Sequence, residues 1–246
     1  SPGLIFEEIF TFSNDFPIEL SLQVLPLIKD LNLLKKEEEY YNLVYFSGNP
    51  YSIVLVPRTN FIRSLKKCQK LENNLCTLQS KKPTTCKSVP FSFGSLEEQQ
   101  PIIFKQKDNT FIKEQCISLE KKENFIQIYD NNHITDLNFS NNFSLYRNSL
   151  KNNKSNVLNF IKFFNINIQP NLSIIINPTL SLLFLNQNQT LTKDDAFDFI
   201  QKQNKLNSQM IDDSIKLKSN DKNDKETTNL LRNFIKENTI LAKNFK

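Results

Sequence analysis

The sequence has very few of the residues that several common functional sites require. Its 246 residues include three glycines, one histidine, one methionine and no tryptophan. A phosphate-binding loop needs several glycines close together, because only then can backbone N–H groups approach the phosphates. Three scattered glycines therefore exclude P-loop and Rossmann-type nucleotide sites. They also argue against the glycine-rich cofactor turn of a self-contained S-adenosylmethionine-dependent methyltransferase.

Long apolar runs and concentrated charge are missing too. No segment reaches the roughly 18–20 apolar residues that a membrane helix needs, and no signal peptide is visible. The net charge of +5 comes from 31 basic and 26 acidic residues, which are spread along the chain. Nucleic-acid binders usually gather basic residues on one face. We therefore expect a cytoplasmic, soluble protein with no membrane span and no nucleic-acid partner.

The composition does provide for a packed core. Apolar residues make up 39% of the chain and include 21 phenylalanines, which excludes a disordered protein. Asn, Lys, Ile and Phe are abundant, as is typical of proteins encoded by an AT-rich bacterial genome. We therefore give the Asn-rich and Lys-rich stretches little functional weight.

The apolar patterns predict a single mixed α+β domain. Residues 1–150 are expected to hold short hairpins and an irregular, cysteine-rich loop region. Residues 151–246 are expected to be mainly helical and to pack on the first part. A composition shift near residue 150 is the only candidate boundary between the two regions, and there is no internal repeat.

Individual elements follow from periodicity and from turn and capping residues. The predicted strands are Leu43–Phe46, Ser52–Val56, Ile102–Phe104, Thr110–Ile112, Asn124–Tyr129 and Leu172–Ile176. Turns are expected at Gly48-Asn49-Pro50 and Asp108-Asn109. The run after Pro17 is predicted to be helical, with a kink at Pro26. Further helices are predicted at Asn156–Phe164, from the N-cap Thr192 to about Leu217, and near Glu226–Ala242.

The four cysteines, Cys68, Cys76, Cys86 and Cys116, are the candidate metal ligands. Their spacing is C-x7-C-x9-C-x29-C, which differs from the C-x2-C spacing of a zinc finger. Three of them lie close together in a stretch with little periodicity, as expected for a loop held by a metal ion. On spacing alone, four reduced thiols or two disulfides in an exported protein stay open as alternatives.

The residues around the first three cysteines carry a further pattern. Its matching positions are Leu71, Leu78, Lys82-Pro83, Cys86-Lys87 and Pro90-Phe91. The pattern resembles that of the YkgJ cysteine-cluster family, which comprises zinc- or iron-chelating proteins and includes the flagellin lysine N-methylases. The family motif runs Cys-x-x-Leu-Asp, Cys-x-Ile-Tyr, Arg-Pro-x-x-Cys-Arg and Pro-Phe. The similarity is good between Cys68 and Phe91 and looser as far as Cys116.

The chain departs from the family at its N-terminal end. Family members open with an upstream group of the form Cys-x-x-Cys followed by Cys-Cys, whereas this chain has no cysteine before Cys68. Residues Phe10–Phe16 are the expected counterpart, with Phe, Ser and Asn in place of thiols. The resemblance therefore implies one group of metal ligands, and an iron–sulfur cluster is the less favoured cofactor.

Four thiolates around one point make a closed tetrahedral site. Such a site suits Zn²⁺, at about 2.3 Å per Zn–S bond, and it also suits iron. Because no coordination position is open, the ion has a structural role and does not act as a Lewis acid. Lys82 and Lys87 lie close to the thiols in the sequence and would offset the thiolate charge, although solvated positions for these lysines are the simpler expectation.

Three functions remain open. The first is a structural metal-binding protein that holds Zn or Fe. The second is a lysine N-methylase-like enzyme acting on flagellin, for which no catalytic residue can be named. The third is a metal-free protein that uses its C-terminal helices to bind a protein partner. A Cys–His nucleophile is not expected, because the only histidine, His133, follows Asp130-Asn131-Asn132 and belongs to an exposed turn.

Overall fold

The chain combines antiparallel strands with a mainly helical C-terminal part. The structure, a computed structural model, describes residues 9–10, 12–60, 64, 70–73, 75–78, 82, 84–107, 126–187 and 191–245. The described strands are β1 (Ile18–Pro26), β2 (Asn42–Phe46), β3 (Asn49–Thr59), β4 (Leu71–Glu72), β5 (Leu75–Cys76), β6 (Tyr129–Asp130), β7 (His133–Ile134) and β8 (Ser173–Ile176). The described helices are α1 (Leu31–Tyr40), α2 (Thr84–Ser88), α3 (Gln100–Lys107), α4 (Leu137–Phe163), α5 (Thr179–Gln187), α6 (Lys193–Lys216) and α7 (Lys222–Leu241). The predicted α+β class is confirmed.

The largest sheet has four antiparallel strands in the order β2-β3-β1-β8. In it, Leu22 of β1 lies opposite Leu55 of β3 on one side and opposite Ile174 of β8 on the other. Alternate residues of β1 are completely buried: Ile18, Leu20, Leu22 and Val24. Strand β1 is thus one of the two central strands, and its alternate apolar residues are buried.

The prediction of a helix directly after Pro17 is wrong, because the stretch from Ile18 to Pro26 is β1. Its apolar residues recur at every second position, which places them on one face of a strand. On a helix the same residues would be spread around the axis. Within this run, helical structure begins only with α1, after the N-cap Asp30.

The first predicted hairpin is confirmed as β2–β3. Its turn consists of Ser47 and Gly48, with φ angles of 48° and 74°. Positive φ at both central positions matches the twist of the strands that a two-residue turn joins. The turn lies slightly earlier than predicted, since Asn49 and Pro50 already belong to β3.

The second predicted hairpin is wrong in its first half. Ile102–Phe104 belongs to α3, where Pro101 lies in the first turn and its missing N–H is not needed. Thr110–Ile112 lies outside the described residues. Of the strand predicted at Asn124–Tyr129, the described part is strand only at Tyr129, the first residue of β6.

The main hydrophobic core lies between the sheet and the later helices. Phe160 of α4, Leu182 of α5 and Ile200 of α6 pack in one cluster with the buried side chains of β1 and β3. The short helix predicted at Asn156–Phe164 is the end of the much longer α4, which runs unbroken across residue 150. Side chains from both predicted regions, 1–150 and 151–246, therefore share this core.

The two C-terminal helices form a hairpin. The predicted N-cap Thr192 is confirmed, since its Oγ1 accepts a hydrogen bond from the backbone N of Asp195 at 3.1 Å. The last helix, α7, begins a few residues earlier than predicted, because Asp221 caps it. Met210, Ile211, Leu231 and Phe234 form the core between α6 and α7. None of the described helices is long and apolar enough to cross a bilayer.

Candidate functional site

Two of the four predicted metal ligands are described. Cys76 is the last residue of β5 and has a half-buried, free thiol, whereas Cys86 lies exposed in α2. Cys68 and Cys116 lie outside the described residues. No three His, Cys, Asp or Glu side chains form a possible metal site within the described part of the chain. A metal site that included Cys76 or Cys86 would therefore need further ligands from outside the described residues. Cys68 and Cys116 are among the residues there.

Cys76 is held on a very short hairpin. It pairs with Leu71 across the β4–β5 ladder, and the backbone N of Thr77 donates to the carbonyl of Lys70 at 2.9 Å. Asn73 takes the positive φ of 49° that the turn requires. Strands of two residues do not hold a hairpin by themselves. Contacts with the rest of the protein must fix its position.

Those contacts come from Lys70 and Leu78, on either side of the hairpin. Lys70 Nζ lies 3.0 Å from Asp15 Oδ1 and 5.6 Å from the ring centre of Phe16. Leu78 packs against the main core. The Cys76 hairpin therefore lies on the end of Phe10–Phe16, the segment predicted as the counterpart of the missing upstream cysteines.

A second contact fixes the chain before the hairpin. Asp224, in the first turn of α7, is 1% exposed and accepts hydrogen bonds from the hydroxyl and the backbone N of Ser64 and from the hydroxyl of Ser219. Cys68 follows Ser64 by four residues and precedes Lys70 by two. Both flanks of the first candidate ligand are thus attached to the folded protein through carboxylates.

Replacing Asp224 by asparagine should lower the free energy of unfolding by about 1–2 kcal/mol, because a neutral amide oxygen accepts the three hydrogen bonds that reach Asp224 Oδ2 more weakly than the carboxylate does. Urea denaturation measures the loss. Asp212→Asn, on an exposed site of α6, is the matched control and should change stability little. Equal effects of the two substitutions would contradict the role given to Asp224.

The Pro-Phe pair of the motif, which follows Cys86, lies where it can anchor the chain to the core. Helix α2 packs against α4, and Phe91 is completely buried in a second cluster with Phe104 and Ile134. The ring centres of Phe91 and Phe139 of α4 are 5.1 Å apart, edge to face. The Pro-Phe end of the motif therefore attaches the Cys86 helix to α4. Lys87 is exposed, as expected for a solvated lysine.

The exposed position predicted for the only histidine is confirmed. His133 follows the turn residues Asn131 and Asn132, which both have positive φ, and its side chain is 75% exposed. Its Nδ1 lies 3.2 Å from Glu97 Oε2. The contact described for this histidine is thus with a carboxylate, and the exposed pair offers no enclosed reaction site.

A buried ion pair between α1 and α4 was not predicted from the sequence. Arg147 Nη2 lies 3.9 Å from Glu37 Oε2, and the two residues are 3% and 5% exposed. The guanidinium stacks on the ring of Tyr40 at 3.7 Å and donates to the carbonyl of Gly94 at 3.2 Å. Burial raises the pKa of Glu37, and the nearby Arg147 partly offsets this rise. In the sequence, Glu37 is one of three consecutive glutamates, so nothing there marks it as buried.

Comparisons with known proteins do not assign the chain to a family. No protein-family model matches the chain, and no curated protein or solved structure matches it. The resemblance to the YkgJ family stays a prediction from the motif between Cys68 and Phe91. Function is therefore inferred from the chemistry and positions of the chain's own residues.

Proposed function

We propose that the chain is a metal-binding protein in which Cys68, Cys76, Cys86 and Cys116 together hold one Zn or Fe ion at a structural site. The observation that carries this proposal is the position of Cys76. Its free thiol is half-buried on a hairpin that has almost no strand pairing of its own and that is attached to the core at both ends.

The chemistry of the donors supports a metal with thiolate ligands. The only histidine lies in an exposed position beside Glu97, and the resemblance assigns the ligand role to the cysteines. A set of four thiolates suits Zn²⁺ or iron and leaves no open coordination position. Bound metal would link the β4–β5 hairpin to α2 and to the chain around residue 116, and its binding free energy would add to folding stability.

The residues around the thiols would position them for the metal. Lys70 and its partner Asp15 fix the hairpin that carries Cys76, and Asp224 holds the chain before Cys68. Phe91 is buried against Phe139 of α4, which attaches the end of α2, the helix that carries Cys86, to α4. Each of three ligands thus lies within a few residues of an attachment to the folded protein.

Metal analysis of protein purified without chelators tests the proposal. We expect about one equivalent of Zn or Fe per chain in the wild type, since four thiolates hold a single ion. Cys76→Ser should remove most of the metal, because serine is a poor ligand for these ions. Elemental analysis by mass spectrometry measures both proteins.

His133→Gln is the matched control, because it removes the other common type of metal ligand from an exposed turn and should leave the metal content unchanged. Metal-free wild-type protein that is fully folded would overturn the proposal and favour the metal-free interaction protein. Transfer of labelled methyl groups to flagellin by the purified chain would favour the lysine N-methylase instead.

A further inference from the structure

Helix α1 lies on the protein with little buried apolar surface. Of its ten residues only Glu37 is buried; Leu33, Leu34 and Tyr40 are half-buried, and Leu31 is 78% exposed. No residue of α1 belongs to the three hydrophobic clusters found in the described part of the chain. Most helices in proteins are stabilised by packing an apolar face against a core. Helix α1 therefore depends on another kind of attachment.

Basic side chains of α4 supply part of that attachment. Arg147, Lys151 and Lys154 are spaced i, i+4, i+7, which places them along one face of α4. Lys151 Nζ lies 2.8 Å from Glu39 Oε1, and Lys154 Nζ donates to the backbone carbonyl of Glu38. The acidic end of α1 thus lies along a basic stripe of α4.

A separate ion pair holds the other side of α1. Lys36 pairs with Glu98, which lies in the 3₁₀ turn Glu97–Gln99. The pair raises the pKa of Lys36 and lowers that of Glu98. Helix α1 is therefore attached by charge to two different parts of the protein.

The buried pair of Glu37 and Arg147 adds little to this attachment. Glu37 Oε2 and Arg147 Nη2 are 3.9 Å apart, beyond hydrogen-bond distance, and neither atom has a hydrogen-bond partner among the described residues. In such a geometry the attraction between the two charges is weaker than the free energy lost when both are removed from water. Besides the stacking of the Arg147 guanidinium on Tyr40, the ion pairs that attach α1 are therefore the exposed ones, and salt screens exposed pairs.

We propose that α1 is a reversible electrostatic latch, which high ionic strength releases from α4 and from the Glu97–Gln99 turn while the four-stranded sheet stays folded. Lys151 and Glu39 are 52% and 47% exposed, so dissolved ions reach both partners. The screening length falls from about 10 Å at 0.1 M salt to about 3 Å at 1 M. The sheet has its own core, to which α1 contributes no residue.

Hydrogen–deuterium exchange of the full-length protein at 0.05 M and 1 M NaCl tests the latch. Backbone amides of residues 34–40 should exchange about tenfold faster at high salt, as expected when two exposed ion pairs are screened. Amides of β1 should keep their exchange rate. Unchanged exchange in α1, or an increase shared equally by α1 and β1, would overturn the proposal.

The double variant Lys36→Gln/Lys151→Gln should exchange quickly in α1 already at 0.05 M NaCl and respond little to added salt. Lys222→Gln is the matched control, since Lys222 pairs within α7, with Glu226 at 3.7 Å. It should leave exchange in α1 as in the wild type. A double variant that exchanges like the wild type at low salt would show that these pairs do not hold α1.

Discussion

Replacing Arg147 by methionine should lower the free energy of unfolding by about 3 kcal/mol at pH 8 and by clearly less at pH 5. Methionine keeps most of the apolar volume but removes the positive charge that faces Glu37. It also removes the guanidinium donor to the Gly94 carbonyl and the stacking on Tyr40. A buried carboxylate then has no countercharge, which is the most costly way to break a buried ion pair.

The pH dependence follows from the pKa of Glu37. Burial raises this pKa above its ordinary value of 4.5, Arg147 lowers it, and the negative charge of Glu98 raises it again. The raised pKa means that folding favours the protonated acid. Stability from this group is complete below about pH 4.5 and is lost as the pH rises through the folded-state pKa. Without Arg147 the pKa rises further, so the variant loses more stability than the wild type as the solution becomes alkaline.

Urea denaturation at pH 5 and pH 8 measures this difference. The double variant Glu37→Gln/Arg147→Met is the matched control, because it removes the carboxylate together with its partner. It should be more stable than Arg147→Met at pH 8 and should show less change with pH. The same loss for Arg147→Met at both pH values would mean that Glu37 is not the charge left unpaired.

Replacing Gln203 by alanine should cost about 3 kcal/mol of stability, because three buried hydrogen bonds are lost at once. Gln203 of α6 is 1% exposed. Its Oε1 accepts from the backbone N of Ile18, and its Nε2 donates to the carbonyls of Ser13 and Phe16, each at 3.0 Å. The substitution leaves these three backbone groups buried without a partner.

Thermal and urea denaturation of Gln203→Ala provide the measurement. Gln201→Ala is the control on the same helix, since Gln201 is exposed and alanine is at least as good a helix former. It should leave stability nearly unchanged. A loss below about 1 kcal/mol for Gln203→Ala would indicate that water replaces the amide at little cost.

Local patterns were sufficient for the elements that depend on neighbouring residues. The β2–β3 hairpin, the strand at Ser173–Ile176 and the capped start of α6 all follow from turn, branching or capping residues nearby. The wrong prediction for β1 has its cause in the residues that follow. Ile18, Leu20, Leu22 and Val24 alternate strictly, as in a strand, but Leu25, Leu27 and Ile28 break the alternation and favour a helix.

Contacts between distant parts of the chain could not be predicted. Gln203 lies 185 residues from Ile18, and Arg147 lies 110 residues from Glu37, so no local pattern relates the members of either pair. In the sequence, Glu37 and Gln203 each have similar polar residues beside them, so nothing local marks them as the buried ones. Their burial is decided by where the helices pack, which a single sequence does not specify.

At the candidate metal site, too, the residues within the motif could be predicted and the contacts with distant residues could not. The motif identified Cys76 and Cys86 as candidates, and it included Pro90 and Phe91, of which Phe91 is buried against Phe139 of α4. It could not show that Lys70 and Asp15 attach the Cys76 hairpin to the N-terminal segment. It also missed Asp224, because the residue that Asp224 holds, Ser64, is 160 residues away.

The most direct test of the central claim is X-ray absorption spectroscopy at the edge of the metal that copurifies with the full-length protein. Convergence of the four thiols predicts a first shell of four sulfur atoms, at about 2.3 Å if the ion is zinc. A first shell made mainly of oxygen or nitrogen, or a folded protein that contains no metal, would contradict it.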